Sequence, residues 1–401
     1  MTSPNRGARP QLIRTLNEQL LLDEVRRRGK TSRSELARAT GLSKPTVALA
    51  LASLETAGLV QHAGMRTATR GRAAALYEIR SDAGFVLGLD VGREYIRGAV
   101  ADLSGAVRTR DSRRSRATTG RGRVRELSRL ATELLERATA RHPDVVVHTV
   151  IGSPGVLDPE RDALRMAANL PEWERPSILA SLRSTFGTGT VIENDVDAAA
   201  VAERDHGHGR DVSTFAFVSI GTGIGMGVVV DGRLHRGAHG VAGEIAYLPI
   251  GVEHVSPAEA RRRGALETAA ASAAVVRGAR SAGMREPLSA RAVFEAAAEG
   301  DARAQAVVAH EVELVAKALA TVVAVVDPEL IVLGGGIGRA PGFAEAVTRS
   351  LAQIAPVMPE VRASALGDDV VVDGCIACGM EELWQRVLAS RGLDRGTAAA
   401  V

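Results

Sequence analysis

Hydrophobic and polar positions change their period along this chain, and the changes mark out its elements. In QLIRTLNEQLLLDEVRRRG, Leu12, Leu16, Leu20 and, less regularly, Val25 recur at near-helical spacing, and Gly29 stops the helix after a basic last turn. TSRSELARATGLSKPTVALALASLETAGLV then predicts two short helices. Ser32 can cap the first, with Glu35 three residues on as its capping-box partner. Gly41 supplies a tight turn, and Ser43 can cap the second helix, whose first turn tolerates Pro45 because no N–H is needed there. Small Ala37, then Gly41 and Val47, are spaced as two closely crossing helices require, which is the helix-turn-helix pattern. Gly58 ends the second helix. LVQHAGMRTATRGRAAALYEIR reads as two short strands around a basic, glycine-containing tip, a wing.

Beyond residue 80 the period alternates between two and about 3.6. Strand-like runs fall at 85–91, 95–102, 146–151, 190–192, 214–220, 226–231 and 330–333. Helical patterns lie between them at 124–140, 196–204, 268–280, 291–298 and 303–326, so the body is α/β. The arginine-dense RTRDSRRSRATTGRGRVR, 108–125, reads as a solvated hairpin edge and loop, and the Ala-rich tail at 395–401 as disordered.

Composition narrows the class. A chain of 401 residues fits two or three domains, and 45% hydrophobic with 24% charged residues is the balance of a soluble globular protein. No run approaches the roughly 18 apolar residues that span a bilayer, and the polar start MTSPNRGARP has no signal-peptide core. Two cysteines argue against a disulfide framework and for a reducing cytoplasm. They form CIAC, Cys375 and Cys378, whose apolar setting favours buried helix residues over a redox pair. The net charge of +3 is unevenly spread. Residues 1–80 hold fourteen Arg or Lys against six Asp or Glu, hence +8, which leaves −5 for the rest. That asymmetry suits a nucleic-acid-binding end on a near-neutral body, although a merely solvated basic surface would look the same. With capping, turn and wing in register, the second helix is the candidate to enter the major groove. Ser43, Lys44, Thr46 and Ser53 are its candidate base contacts, and Arg70 and Arg72 of the wing suit phosphates or an adjacent minor groove.

Three glycine-rich turns follow strands in the body: DVGRE at 90–94, SIGTGIGMGVVVDG at 219–232 and LIVLGGGIG at 330–338. Such turns let backbone N–H groups approach a phosphate closely. With SPGVLD at 153–158, NLPEW at 169–173, ENDVDAAAVAE at 193–203, HRGAHGVAGEI at 235–245, GALE at 264–267 and DPELIVLGGGIG at 327–338, they make the chain resemble the ROK family along essentially its whole length. That family takes in sugar kinases and sugar-responsive repressors, xylose and N-acetylglucosamine repressors among them. The resemblance implies a winged helix at 1–80 followed by a two-lobed, actin-like body. The small lobe would cover 81–195, completed by a C-terminal helix at 376–390, and the large lobe 196–375. It also implies that Asn194, Asp195, Glu244 and Glu267 contact sugar hydroxyls, with Asp195 matching the kinases' catalytic base. Carboxylates and an amide have the acceptors and donors that a polyol needs. Asp90, Gly92, Gly221, Thr222, Gly223 and Gly335 would be remnants of the nucleotide loops.

The departures are as informative. The family's GEIGH is GEIAY here, so Tyr247, the fifth residue expected at the sugar, stands where a histidine normally contacts sugar and zinc, and Ala265 holds the position of the last zinc cysteine. A structural zinc needs about four nitrogen or sulfur ligands, so the expectation is no zinc and no other cofactor. The kinases' Gly-Gly-Thr-Lys is Gly92, Arg93, Glu94 and Tyr95 here, which adds bulk and a negative charge beside the phosphate position. The resulting expectation is a cytoplasmic, sugar-responsive transcriptional regulator without kinase activity, most simply a repressor. It would be a homodimer or homotetramer on a palindromic operator, released by a sugar or amino sugar and without a membrane partner. A bifunctional kinase that also binds DNA and a constitutive DNA-binding protein with a dead pocket are the rivals.

Overall fold

The structure, a computed structural model, describes residues 8–66, 73–139, 145–158, 160–286 and 288–391. The N-terminal unit consists of α1 (Ala8–Arg28), α2 (Arg33–Thr40) and α3 (Lys44–Thr56). Beside them lies an antiparallel sheet of β1 (Thr31–Ser32), β2 (Val60–Arg66) and β3 (Ala74–Ile79), with β3 central. The capping box forms: Ser32 Oγ accepts from Glu35 N at 3.4 Å and Glu35 Oε2 accepts from Ser32 N at 2.9 Å. Gly41 turns the chain at φ 71°, a left-handed value that favours glycine, and Ser43 Oγ accepts from Thr46 N at 3.3 Å. The inward face of α1 is Glu18, Leu21, Leu22 and Val25, whereas Leu16 and Leu20 are exposed. A stripe read at i, i+4, i+8 drifts around a 3.6-residue helix, so it missed the face that α3 covers. The wing tip with Arg70 and Arg72 lies outside the described residues, as does the tail at 395–401.

A short 3-10 turn at Ser81–Ala83 leads into the first lobe. β4 (Gly84–Val91), β5 (Tyr95–Asp102) and β6 (Val107–Arg114) form an antiparallel meander, and α4 (Gly120–Thr139) returns across it. Next come β7 (Val146–Ser153), parallel to β4, a small hairpin of β8 (Val156–Asp158) and β9 (Ala163–Arg165), and α5 (Pro176–Phe186). β10 (Val191–Asn194) closes the sheet in the order β10-β7-β4-β5-β6. Every residue of β4 is buried, as a central strand covered on both faces must be. Phe85, Leu87 and Leu89 pack with Val124, Leu127 and Leu130 of α4. The other face carries Gly88, where an added Cβ would stand 2.9 Å from the Val372 carbonyl of the last helix.

The second lobe starts with α6 (Asp195–His206) and the hairpin β11 (Phe215–Ile220), β12 (Ile224–Val230), edged by β13 (Arg233–Leu234). The helices α7 (Pro257–Arg263), α8 (Ala265–Ala270), α9 (Ser272–Ser281), α10 (Ala290–Ala298) and α11 (Ala302–Val326) follow. Then come β14 (Leu330–Gly334), α12 (Gly335–Gly338), α13 (Phe343–Leu351), β15 (Glu360–Ala363) and α14 (Val370–Ser390). The second sheet runs β13-β12-β11-β14-β15, with β11, β14 and β15 parallel. α14 crosses back onto β4 and β7 of the first sheet. It begins at Val370, six residues before the helix start read from the sequence, and carries Cys375 buried and Cys378 half-buried.

α14 also joins the body to the N-terminal unit. One set of buried side chains runs from Leu21, Val25 and Leu51 through Val86 and Ala101 to Val372, Leu383, Trp384 and Val387. Arg26 of α1 lies over the Trp384 ring at 5.0 Å and pairs with Glu381 at 3.7 Å. The arginine-dense segment is an edge strand followed by the start of α4, and several of its cations are paired. Arg113 meets Asp111 and Glu133, and Arg110 meets Asp369 and Asp373 at the start of α14. Among the described residues no helix is long and apolar enough to cross a membrane.

Candidate functional site

Between the two sheets lies a cleft of about 380 Å³, lined from both lobes. The β10–α6 junction supplies Asn194 and Asp195, the loop after β9 supplies Asn169, and the second lobe supplies Glu244, Tyr247 and Glu267. All five residues expected to hold sugar therefore share one cavity with Asn169. Sequence reasoning missed Asn169 as a site residue, although it opens the NLPEW motif. The loops are cross-braced from below, with Trp173 Nε1 donating to Ser153 Oγ at 2.8 Å in the core.

Asn194 caps α6. Its Oδ1 accepts from Val196 N and Asp197 N at 2.9 and 3.1 Å, and its Nδ2 donates to the Gly155 carbonyl at 3.1 Å. Only one amide hydrogen remains for a ligand, so this residue positions more than it binds. Asp195 accepts from Val196 N at 2.9 Å and is half-buried at the helix start. Burial, with the negative charge of Glu267, pushes its carboxyl up to about 6. Burial likewise pushes Glu244 up to about 7, helped by Asp195 and Glu267. Glu267 is raised by burial against the pull of the Ile224 N–H at 3.1 Å and Arg263 at 3.3 Å. Gly223 was expected with the nucleotide loops, but an added Cβ there would stand 2.7 Å from Glu267 Oε2. Its smallness admits the glutamate. Behind this group, Asp197 is buried and pushed up to about 8 by desolvation and by Glu193, which itself pairs with Arg236. These are acceptors crowded into a half-dry cavity, where burial makes each carboxyl hold its proton to higher pH than a free one.

The other end of the cleft carries the glycine turns. Gly221, Thr222, Gly335 and Gly336 line it together with Arg339. Gly335, at φ 74°, lies so close to the Ile220 carbonyl that an added Cβ would fall 2.3 Å from it. Asp90 is buried at the end of β4, and burial pushes its carboxyl up to about 7 despite the Arg97 cation beside it. Arg97 Nη1 meets Asp90 Oδ2 at 3.1 Å, and its guanidinium lies 5.2 Å from the Tyr95 ring. Arg123 Nη1 donates to the Gly92 carbonyl at 2.7 Å from beneath the hairpin. The turn itself presents exposed Arg93 and Glu94 to the cavity. Sequence reasoning singled out the turn but not Arg97, whose position on the following strand points it back at Asp90.

The residues present do not fit a zinc ion. Tyr247 offers a phenol that burial holds above its ordinary range, hence a neutral one. Ala265, buried at the start of α8, offers no donor at all. The segment is organised by helix caps instead: Ser256 Oγ accepts from Glu259 N at 3.3 Å to start α7.

At the far end of the molecule, α3 presents exposed Ser43 and Lys44 at its start, with Thr46 half-buried and sharing a 2.8 Å hydroxyl contact with Ser43. Ser53 lies on the flank toward α1, where its hydroxyl accepts from Arg14 at 2.9 Å and is thus engaged within the protein. Arg66 at the end of β2 pairs with Glu35 at 2.6 Å, tying the wing to α2.

Residues 86–386 match the model of the ROK family, and residues 14–61 match that of a winged helix-turn-helix DNA-binding domain. A xylose repressor of Caldicellulosiruptor bescii is 24% identical over 93% of this chain and 97% of its own. A glucokinase of Thermotoga maritima is 28% identical over 64% of this chain and 83% of its own. Among solved structures, a ROK family transcriptional regulator homologous to the E. coli MLC protein shares the fold. It has a TM-score of 0.73 at 23% identity and covers 95% of this chain and 99% of its own. With three-quarters of its length matched, including the sheets and the cleft, this chain belongs to the ROK family and carries a winged helix-turn-helix ahead of the family's body.

Proposed function

We propose that the protein is a cytoplasmic, sugar-responsive transcriptional regulator, a repressor of sugar uptake or catabolism genes. It binds a palindromic operator as a homo-oligomer and leaves it when a sugar or amino sugar closes the cleft. The observation that carries this reading is the joint course of α14. Val370 and Val371 at its start line the cleft, and Glu381 and Trp384 near its end hold Arg26 of the DNA-binding unit. At 1.5 Å per residue, the 21 residues of this helix reach about 30 Å. Asp195 belongs to the junction with the first sheet, whereas Glu244 and Glu267 belong to the second lobe, so a bound polyol touches both. It favours the closed form only through contacts it makes better there.

The same cleft argues against phosphoryl transfer. That reaction needs positioned phosphates and metal, yet Asp90 is engaged by Arg97 and Glu94 puts a negative charge at the turn. Kinase relatives and the surviving Asp195 keep a second reading alive, a bifunctional sugar kinase. A gel shift with a restriction-digested genomic library, followed by a sugar panel, tests the first reading, and sugar-dependent ADP release tests the second. Retention of specific fragments that one sugar releases, without turnover near ~1 s⁻¹, is the expected result. Turnover at that rate, or no retained fragment, would overturn it.

A further inference from the structure

On α3 the buried stripe is Val47, Ala50, Leu51 and Leu54. Diametrically opposite, at 100° per residue, lie Pro45, Leu49, Ala52 and Thr56. Leu49 at the centre of that outward stripe is 75% exposed. A single exposed leucine is ordinary on a protein surface. This one is flanked along its stripe by Pro45 and Ala52, both exposed, on the helix that a winged helix-turn-helix inserts into the major groove. Between Lys44 and Thr56 the outward stripe thus has no group that can hydrogen-bond a base edge. Lys44 is the only cation on the helix.

We infer that Leu49 is a sequence-determining contact that reads thymine C5-methyl groups, and that the operator half-site carries A·T pairs under this stripe. In the major groove thymine alone among the four bases presents a methyl, whereas cytosine presents an amino donor at the neighbouring position. An isobutyl side chain over the methyl removes apolar surface from water. Over cytosine it would cover a donor and give it no acceptor. Leu49 lies five residues beyond Lys44, about 7.5 Å along the helix axis, so its base lies up to two pairs from any that Lys44 reads. Affinity then rests on Lys44 and basic side chains against phosphates, and discrimination at these pairs on shape and methyl contact.

This inference rests on the regulator reading, and its test separates the two. Duplexes enriched by the full-length protein from a random pool are remade with each half-site thymine replaced singly by deoxyuridine, which removes only the methyl. A methyl is worth about 0.8 kcal/mol on burial, or roughly fourfold in Kd. At least one thymine should cost wild type about that factor and cost Leu49→Ala nothing. Leu49→Ala removes no buried packing, and its unchanged melting temperature checks that it is folded. If deoxyuridine is without effect at every position, or if its effect survives in Leu49→Ala, the assignment of Leu49 is wrong while DNA reading stands. If no duplex is enriched at all, the regulator reading falls and this inference with it.

Discussion

Asp195, Glu244 and Glu267 crowd one cavity, and the consequence is a dependence on pH whose sign follows from their environment. Each holds its proton to higher pH than a free carboxyl near ~4, Asp195 to about 6 and Glu244 to about 7. A carboxylate accepts from a hydroxyl best when ionised. The effector sugar should therefore bind more tightly at pH 7.5 than at pH 5.5, releasing protons as it does. For the empty protein the sign is opposite. The folded chain holds protons that the unfolded chain has already lost, so these two groups contribute stability below about pH 4 that disappears as pH rises through about 6 and 7. Calorimetric titration with the releasing sugar at the two pH values checks the first claim, and an affinity that falls between them contradicts it. The motif residues of this site were legible because family motifs keep short runs of acid and amide together. The Arg97–Asp90 pair was not, because it depends on which face of β5 turns inward opposite β4. Nor was the need for Gly223 to admit Glu267, a contact made across 44 positions of chain.

At the scale of elements, the segment from Ser256 to Glu267 is held by a capped helix and the Arg263–Glu267 pair, and the expectation is that it needs no metal. Purified protein should hold well under one zinc per chain by elemental analysis, and chelator should leave its melting temperature unchanged. About one tightly held zinc per chain would contradict this. α14 makes a second prediction. Arg26 is a half-exposed cation over Trp384, a contact worth about 0.5–1 kcal/mol. Arg26→Ala should keep sugar affinity within about twofold yet shrink the sugar-induced loss of operator affinity by roughly two- to fivefold. Full retention of the sugar response in this variant would remove α14 from the coupling route. The two capped helices of the DNA-binding unit and the buried strands were readable because their signals are local: Ser32 with Glu35, Ser43 with Pro45, and the apolar run of β4. The edge strand β15 was not, since it is short and largely exposed and its pairing with β14 is set by a neighbour distant in sequence. By contrast, β6 was legible as the hairpin edge that opens the arginine-dense segment. Helices α5 and α13 went unread, and α8 and α9 read as one.

For the whole molecule, one core connects the DNA-binding unit, the first lobe and α14, with α6 packed between α14 and β12 of the second lobe. A ligand that bridges Asp195 and Glu267 thus acts on a body continuous with α1. If lobe closure shifts paired winged helices off their spacing of about 34 Å, sugar and operator oppose each other. Linkage then makes each weaken the other by one factor, commonly 1–3 kcal/mol. Asp195→Ala separates the two functions, because its carboxylate lies in the cleft and far from α3. Loss of a charged acceptor should cost the sugar site about 1.5–3 kcal/mol, a weakening of roughly ten- to a hundredfold. The decisive measurement is a gel-shift titration of operator with wild type and Asp195→Ala, each with and without the releasing sugar. The account predicts equal affinities without sugar, and release of wild type at a sugar concentration that leaves the variant bound. Release of both at the same sugar concentration would place the effector site elsewhere and contradict it.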